Sequence, residues 1–159
     1  MARRTVALTL LLLLLLFAGC SAQQQTHKDL SFTLPAGFED RSAEAYAADF
    51  DFLYENGPVA LSGIRETRQA LEAYFGKVDA QRYARLVIAL NQIESEPVQR
   101  NGIWCFSYEA VSGGVPMTYL CAIYEAEESL WQVQTYCATA DLAAQQDAMW
   151  DLICSMTAE

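Results

Sequence analysis

The sequence predicts an α+β fold, in which an antiparallel sheet is covered by helices on both faces (an α/β/α sandwich), preceded by an N-terminal signal peptide. Strand-like segments occur in two blocks with helical segments between and after them, whereas a parallel sheet would alternate strand and helix. Trp104, Phe106 and Tyr108 lie on one face of a predicted strand, and Ile103 and Cys105 on the other. Because both faces are apolar, the sheet needs cover on both sides.

The first block contains three short strands. Residues 30–34 alternate apolar and polar side chains with the period of a half-buried strand, and residues 50–54 do the same. Asn56-Gly57 is a strong hairpin signal, so residues 59–65 are expected to return as the third strand.

Two helices and the second block of strands follow. Between residues 67 and 93 the apolar side chains recur at helical spacing, which predicts two amphipathic helices. Residues 103–111, 115–125 and 129–137 are β-like with short connections, which predicts an antiparallel meander. Residues 141–156 are expected to form the last helix.

The first residues have the pattern of an export signal. Arg3 and Arg4 precede an almost wholly apolar run over residues 6–17, which includes seven consecutive leucines. A helix of that length rises only about 20 Å, so it is too short to span a bilayer. The run closes with Phe17-Ala18-Gly19-Cys20.

This tetrapeptide resembles the lipobox of bacterial lipoproteins, although Phe17 stands where that family usually has leucine. The resemblance implies that the Cys20 thiol carries a diacylglycerol and that cleavage makes Cys20 the first mature residue. Two or three acyl chains hold a soluble domain firmly at a membrane. The alternative is ordinary cleavage, for example after Ala22, and free secretion. The predicted divisions are a lipoprotein signal peptide (1–19), a lipidated flexible tether (20–29) and a single α+β domain (30–159).

Loose motifs run through the folded part. They are LPAGF at residues 34–38, NGIWCFSY at 101–108, Trp131 in the last predicted strand, and ICSM at 153–156. In these motifs the chain resembles the PsbP-like and DcrB-like superfamily of small exported α/β/α sandwiches, particularly its lipoprotein members. The resemblance implies a shared fold with accessory or binding roles, and it carries no catalytic residues.

Charge and the position of the histidine narrow the possible functions. The formal net charge of the chain is −10. Without Arg3 and Arg4 it has eight basic and 20 acidic residues, which gives a charge of −12. Nucleic-acid binding needs clustered basic residues, so we predict none. The single histidine, His27, falls in the predicted tether, away from any nucleophile. We therefore predict no enzyme, no cofactor and no metal site, with the acidic groups at 49–51 and 125–128 solvated.

Four cysteines follow Cys20. In a hairpin symmetric about Gly113, Cys105 lies directly opposite Cys121, close enough for a disulfide. A slip of one residue would put the two on opposite faces. We favour inert buried thiols, with a Cys105–Cys121 disulfide as the alternative, and metal or redox chemistry is disfavoured because no Cys-x-x-Cys spacing occurs.

One sheet face is a candidate binding surface. Aromatic area beside amides can form a ligand groove, and the alternative is that the helices of residues 67–93 cover this face as core. The side chains expected on it are Trp104, Phe106, Tyr108, Tyr124, Tyr136, Gln132 and Gln134.

Together these observations predict a membrane-anchored, exported lipoprotein with a non-enzymatic binding or accessory role. It is expected on the outer face of the bacterial cytoplasmic membrane. Its predicted partners are the membrane, through the lipid anchor, and a protein or small molecule, but no nucleic acid. The alternative is a small-ligand binding protein that uses the aromatic sheet face.

Overall fold

The computed structural model describes residues 22–159, so the predicted signal peptide and Cys20 lie outside the described residues. The strands are β1 (Gln23–His27), β2 (Leu30–Leu34), β3 (Glu39–Asp40), β4 (Phe52–Asn56), β5 (Val59–Thr67), β6 (Val98–Arg100), β7 (Ile103–Ser112), β8 (Val115–Glu125), β9 (Ser129–Ala138) and β10 (Thr157–Ala158). The helices are α1 (Arg68–Phe75), α2 (Ala80–Leu90) and α3 (Leu142–Cys154).

A central antiparallel sheet has the strand order β3-β4-β5-β9-β8-β7-β6, and a small sheet has the order β1-β2-β10. Helices α1 and α2 pack on one side of the central sheet, which we call the helix-pair face. Helix α3 and the small sheet pack on the other side, which we call the α3 face. The prediction of an α+β fold with an antiparallel sheet is confirmed, and the sequence did not reveal the short strands β1, β3, β6 and β10.

Local signals explain where the first two helices start and stop. The Thr67 side chain accepts a hydrogen bond from the Ala70 N–H at the start of α1, and the Asp79 carboxylate accepts one from the Arg82 N–H at the start of α2. Gly76 ends α1 with a positive φ of 68°, a conformation that favours glycine.

The prediction that residues 20–29 form a flexible tether is wrong for residues 22–29, the part that the structure describes. Residues 23–27 form β1, which pairs with β2 from Gln23 opposite Leu34 to His27 opposite Leu30. Strand β1 lies at the edge of the small sheet, and its residues Gln23, Gln24 and Thr26 are exposed. A mostly polar segment can therefore form this strand. An edge strand of this kind needs little apolar periodicity, so pattern analysis does not detect it.

His27 is packed into the protein and is not a solvated linker residue. Its ring stacks on Phe32 with a centroid distance of 5.8 Å, and its Nε2 lies 2.8 Å from the Tyr54 hydroxyl oxygen. Burial lowers the pKa of His27, while the nearby carboxylates of Asp40 and Asp51 oppose that shift. A histidine held in this way has a structural role.

Asp29 joins the N-terminal segment to the central sheet. Its carboxylate accepts hydrogen bonds from the Trp131 Nε1–H at 2.7 Å, the Ser129 hydroxyl at 2.7 Å and the Arg65 guanidinium at 2.9 Å. These bonds, led by that from Arg65, hold the pKa of the Asp29 carboxyl well below its usual range. The segment expected to be flexible is therefore fixed at this point.

Candidate functional site

Strand register places three tyrosines side by side on the helix-pair face. Tyr108 of β7 pairs with Tyr119 of β8, and Tyr119 pairs with Tyr136 of β9. Because side chains alternate between faces along a strand, Phe106 and Gln134, each two residues from this row, share its face. Tyr119 was not among the side chains expected on this face.

The two helices cover only part of this face. Phe106, Cys121 and Ile123 form a core with α1 and α2, to which Tyr83 and Val87 of α2 contribute. Further along the same face, Tyr108, Tyr119 and Tyr136 are only partly buried. One end of the aromatic face is therefore core, and the other end is accessible.

The three tyrosine rings lie next to one another across the strands, and we call them the tyrosine row (Tyr108, Tyr119 and Tyr136). The Tyr108 and Tyr119 rings are nearly parallel, at 4° and 4.8 Å between centroids, and those of Tyr119 and Tyr136 lie 5.0 Å apart. Burial raises the pKa of each phenol, that of Tyr136 to about 12. The phenols therefore stay neutral near pH 7 and can donate hydrogen bonds.

A groove of about 640 Å³ lies between the tyrosine row and the segment after α2. The Tyr108 hydroxyl donates to the Gln134 amide oxygen at 3.4 Å inside it. The groove combines an aromatic ring with amides and the Glu94 carboxylate, a mixture that suits reversible binding of a polar molecule with an apolar face. Its lining includes Asn91, Glu94, Tyr108, Glu109, Gln132 and Gln134.

Tyr124 was expected on this face and lies on the other one. It pairs with Trp131 on the α3 face, and its buried hydroxyl donates to the Ile153 carbonyl at 2.7 Å. Burial raises the pKa of this phenol as well. Its position follows from the alternation of side chains along β8, since Tyr124 is an odd number of residues from Tyr119.

The Cys105–Cys121 disulfide, predicted as a possibility, is contradicted, and the two residues are free buried thiols, as favoured from the sequence. Cys105 pairs with Ala122, and Cys121 pairs with Phe106, so the two thiols are on opposite faces of the sheet. The predicted register assumed a three-residue loop, but the loop has two residues, Gly113 and Gly114, both with positive φ. Both cysteines are free, and burial raises the pKa of their thiols, that of Cys121 most clearly, which keeps them protonated.

The acidic groups flagged in the sequence include two with structural partners. The Asp51 carboxylate accepts the Arg65 backbone N–H at 2.7 Å. The Glu125 carboxylate accepts from the Arg68 guanidinium at 2.9 Å and from the Ala80 N–H at the start of α2. These contacts hold β5 near its end and the start of α2, and both acidic residues are at exposed positions, as the sequence predicted.

Within residues 22–159, no group of three or more His, Cys, Asp or Glu side chains is arranged to hold a metal ion. The same part of the chain contains no helix that is both long and apolar enough to span a bilayer.

Comparison with known proteins relates the chain to others by fold. No family model and no curated protein matches the sequence. The solution structure of cyanobacterial PsbP (CyanoP) from Synechocystis sp. PCC 6803 matches with a TM-score of 0.59 and 14% identity, over 87% of this chain and 93% of that one. A crystal structure from Bacteroides thetaiotaomicron VPI-5482 matches with a TM-score of 0.52 and 12% identity, over 82% of this chain and 45% of that one. The chain therefore has a PsbP-like fold, as its motifs predicted.

Proposed function

We propose that the protein is an exported lipoprotein, anchored through Cys20 to the outer face of the bacterial cytoplasmic membrane, with a non-enzymatic binding or accessory role. The observation that carries this proposal is the leucine-rich run that ends in Phe17-Ala18-Gly19-Cys20. Strand β1 begins at Gln23, three residues after Cys20 in the sequence. A small acidic domain held in this way can present a surface to envelope partners.

The anchor is tested by replacing Cys20 with alanine. We expect wild-type protein to fractionate with membranes and its N-terminal peptide to carry acyl mass on Cys20, whereas Cys20→Ala is released or left unprocessed. Cys154→Ala removes the exposed thiol of α3 and serves as the matched control, expected to remain with the membrane. An unmodified Cys20 in the mature protein would refute the anchor.

A second candidate function is binding of a small ligand in the groove beside the tyrosine row. It is favoured by the groove volume of about 640 Å³ and by the placement of Gln132 and Gln134 beside the Tyr108 ring. Sugars combine hydroxyl groups with an apolar ring face, and an amine can pair with the Glu94 carboxylate, so both classes suit this lining.

Ligand binding in the groove is tested by titrating the protein with N-acetylglucosamine or spermidine. The readout is the shift of the glutamine side-chain amide signals in NMR spectra. We expect one probe to shift the Gln132 and Gln134 signals at millimolar concentration, and Gln134→Ala to weaken that binding at least fivefold. Gln69→Ala, at an exposed position of α1, is the matched control. If neither probe shifts these signals, the groove does not bind these ligand classes.

A further inference from the structure

The hairpin that joins β7 to β8 ends in an uncharged, exposed tip. Residues 110–117 (AVSGGVPM) contain no charged side chain in a chain whose net charge is −10. Val111 is 72% exposed and Val115 is 47% exposed, so apolar area faces solvent here. We call these eight residues the hairpin tip.

The hairpin tip lies at the end of the molecule where the described chain begins. Gln23 pairs with Leu34, and the nearby Ala36 carbonyl accepts a hydrogen bond from the Asn56 side chain at the β4–β5 turn. Ala60, just after that turn, is in register with Tyr136 and, through it, with the other residues of the tyrosine row. From that row β7 runs on to the tip, so the tip, the β4–β5 turn and Gln23 are at the same end.

Chain geometry gives the distances involved. From the tyrosine row β7 continues four residues to Ser112, whereas β5 begins one residue beyond Ala60, so the tip projects roughly 10 Å past the β4–β5 turn. Cys20 precedes Gln23 by three residues, which span at most about 10 Å. A lipid on Cys20 would therefore keep this end of the domain next to the bilayer.

We propose that the hairpin tip is a second membrane contact, in which Val111, Val115 and Pro116 enter the lipid interface. This inference rests on the proposed anchor at Cys20, which supplies the high local concentration that a small apolar tip needs. The tip carries no carboxylate that anionic headgroups would repel, and the nearest one along β7 is Glu109.

The tyrosine row fits the same orientation. Tyrosine is enriched at membrane interfaces because its ring is apolar and its hydroxyl prefers a polar environment. The row begins two residues from the tip on both β7 and β8, which places its phenols at headgroup depth when the valines contact lipid. The groove beside Tyr108 would then open close to the membrane surface.

The test uses lipidated full-length protein in vesicles of phosphatidylethanolamine and phosphatidylglycerol. Val115→Cys and, as the matched control, Val98→Cys are each labelled with nitrobenzoxadiazole in a Cys154→Ser background, which removes the exposed native thiol. Val98 is also an exposed valine, at 57%, but it pairs with Cys105, about 23 Å along β7 from Ser112. The readout is quenching by lipids that carry a nitroxide in the acyl chain.

We expect the label at position 115 to be quenched at least threefold more strongly than the label at position 98, with emission shifted to the blue. Equal quenching at the two positions, with acyl mass present on Cys20, overturns the membrane contact and leaves the anchor standing. Absence of acyl mass on Cys20 in the same sample overturns the anchor and, with it, the contact that depends on it.

Discussion

Asp29 is the residue through which the N-terminal segment is tied to the central sheet. Its side chain is only 19% exposed, and that of its ion-pair partner Arg65 only 16%. A hydrogen bond to a charged, poorly solvated group contributes about 1.5–3 kcal/mol to stability. Asp29 also accepts hydrogen bonds from Ser129 and Trp131. Its removal leaves a cation and two donors without their acceptor.

We expect Asp29→Asn to lower the free energy of unfolding by about 2–3 kcal/mol at pH 7. The loss depends on pH because the folded-state pKa of Asp29 lies below its ordinary value of 3.8. The carboxylate's contribution is complete above that value and is lost progressively as the pH falls toward the folded-state pKa. Urea unfolding of wild type and variant between pH 7 and pH 2.5 measures the difference.

Asp147→Asn is the matched control for this change, since it removes one carboxylate from an exposed position of α3. It is expected to alter stability by less than about 0.5 kcal/mol. A difference between wild type and Asp29→Asn that is independent of pH would contradict the assigned role of the ionised carboxylate.

Among the elements, the β7–β8 hairpin sets the faces of most side chains discussed above. Its two-residue glycine loop places Ser112 opposite Val115, and every pair up to Trp104 opposite Ile123 follows from that loop. A three-residue loop would exchange the faces of one strand relative to its partner. The tyrosine row and the separation of Cys105 from Cys121 thus have one common cause.

The strand register that separates Cys105 from Cys121 is tested by alkylating the protein without reductant and counting the labelled thiols by mass spectrometry. In the folded protein we expect rapid labelling of Cys154 alone, because Cys105, Cys121 and Cys137 are buried. In denaturant, all four thiols should react. Only two reactive thiols after unfolding would indicate a disulfide and would contradict this register.

At the scale of the whole molecule, the domain includes residues that precede its predicted boundary at Leu30. Strand β1 pairs with β2, His27 packs against Phe32 and Phe52, and Asp29 reaches Trp131. Only two residues, Ser21 and Ala22, separate Cys20, the proposed site of the lipid anchor, from Gln23. The domain is therefore expected to lie close to the membrane.

Shortening the chain tests this boundary. A protein that begins at Leu30 is expected to be at least 3 kcal/mol less stable than one that begins at Ala22, since it loses β1 and leaves Arg65 without its carboxylate. The unfolding midpoints of the two proteins in urea are compared by tryptophan fluorescence. This signal reports on the change because Trp131 loses its Asp29 acceptor in the shorter protein. Equal unfolding midpoints would show that residues 22–29 are dispensable.

The sequence by itself determined the order of the major elements, the α+β class and the PsbP-like character of the fold. These are local properties, since apolar period, turn residues such as Asn56-Gly57 and caps such as Asp79 act within a few positions of the chain. The export signal and the lipid anchor on Cys20 are predictions of the same kind, made from the leader.

The tertiary structure decided which faces are covered and which partners meet. The tether prediction failed because the polar strand β1 is held by cross-strand hydrogen bonds and by Asp29, whose partner Trp131 lies 102 residues away. The possible disulfide and the predicted face of Tyr124 were wrong because strand register propagates from one loop, and a one-residue difference exchanges the faces of a strand. The groove exists because α2 ends at Leu90, short of the tyrosine row, and only packing determines where a helix leaves a sheet uncovered.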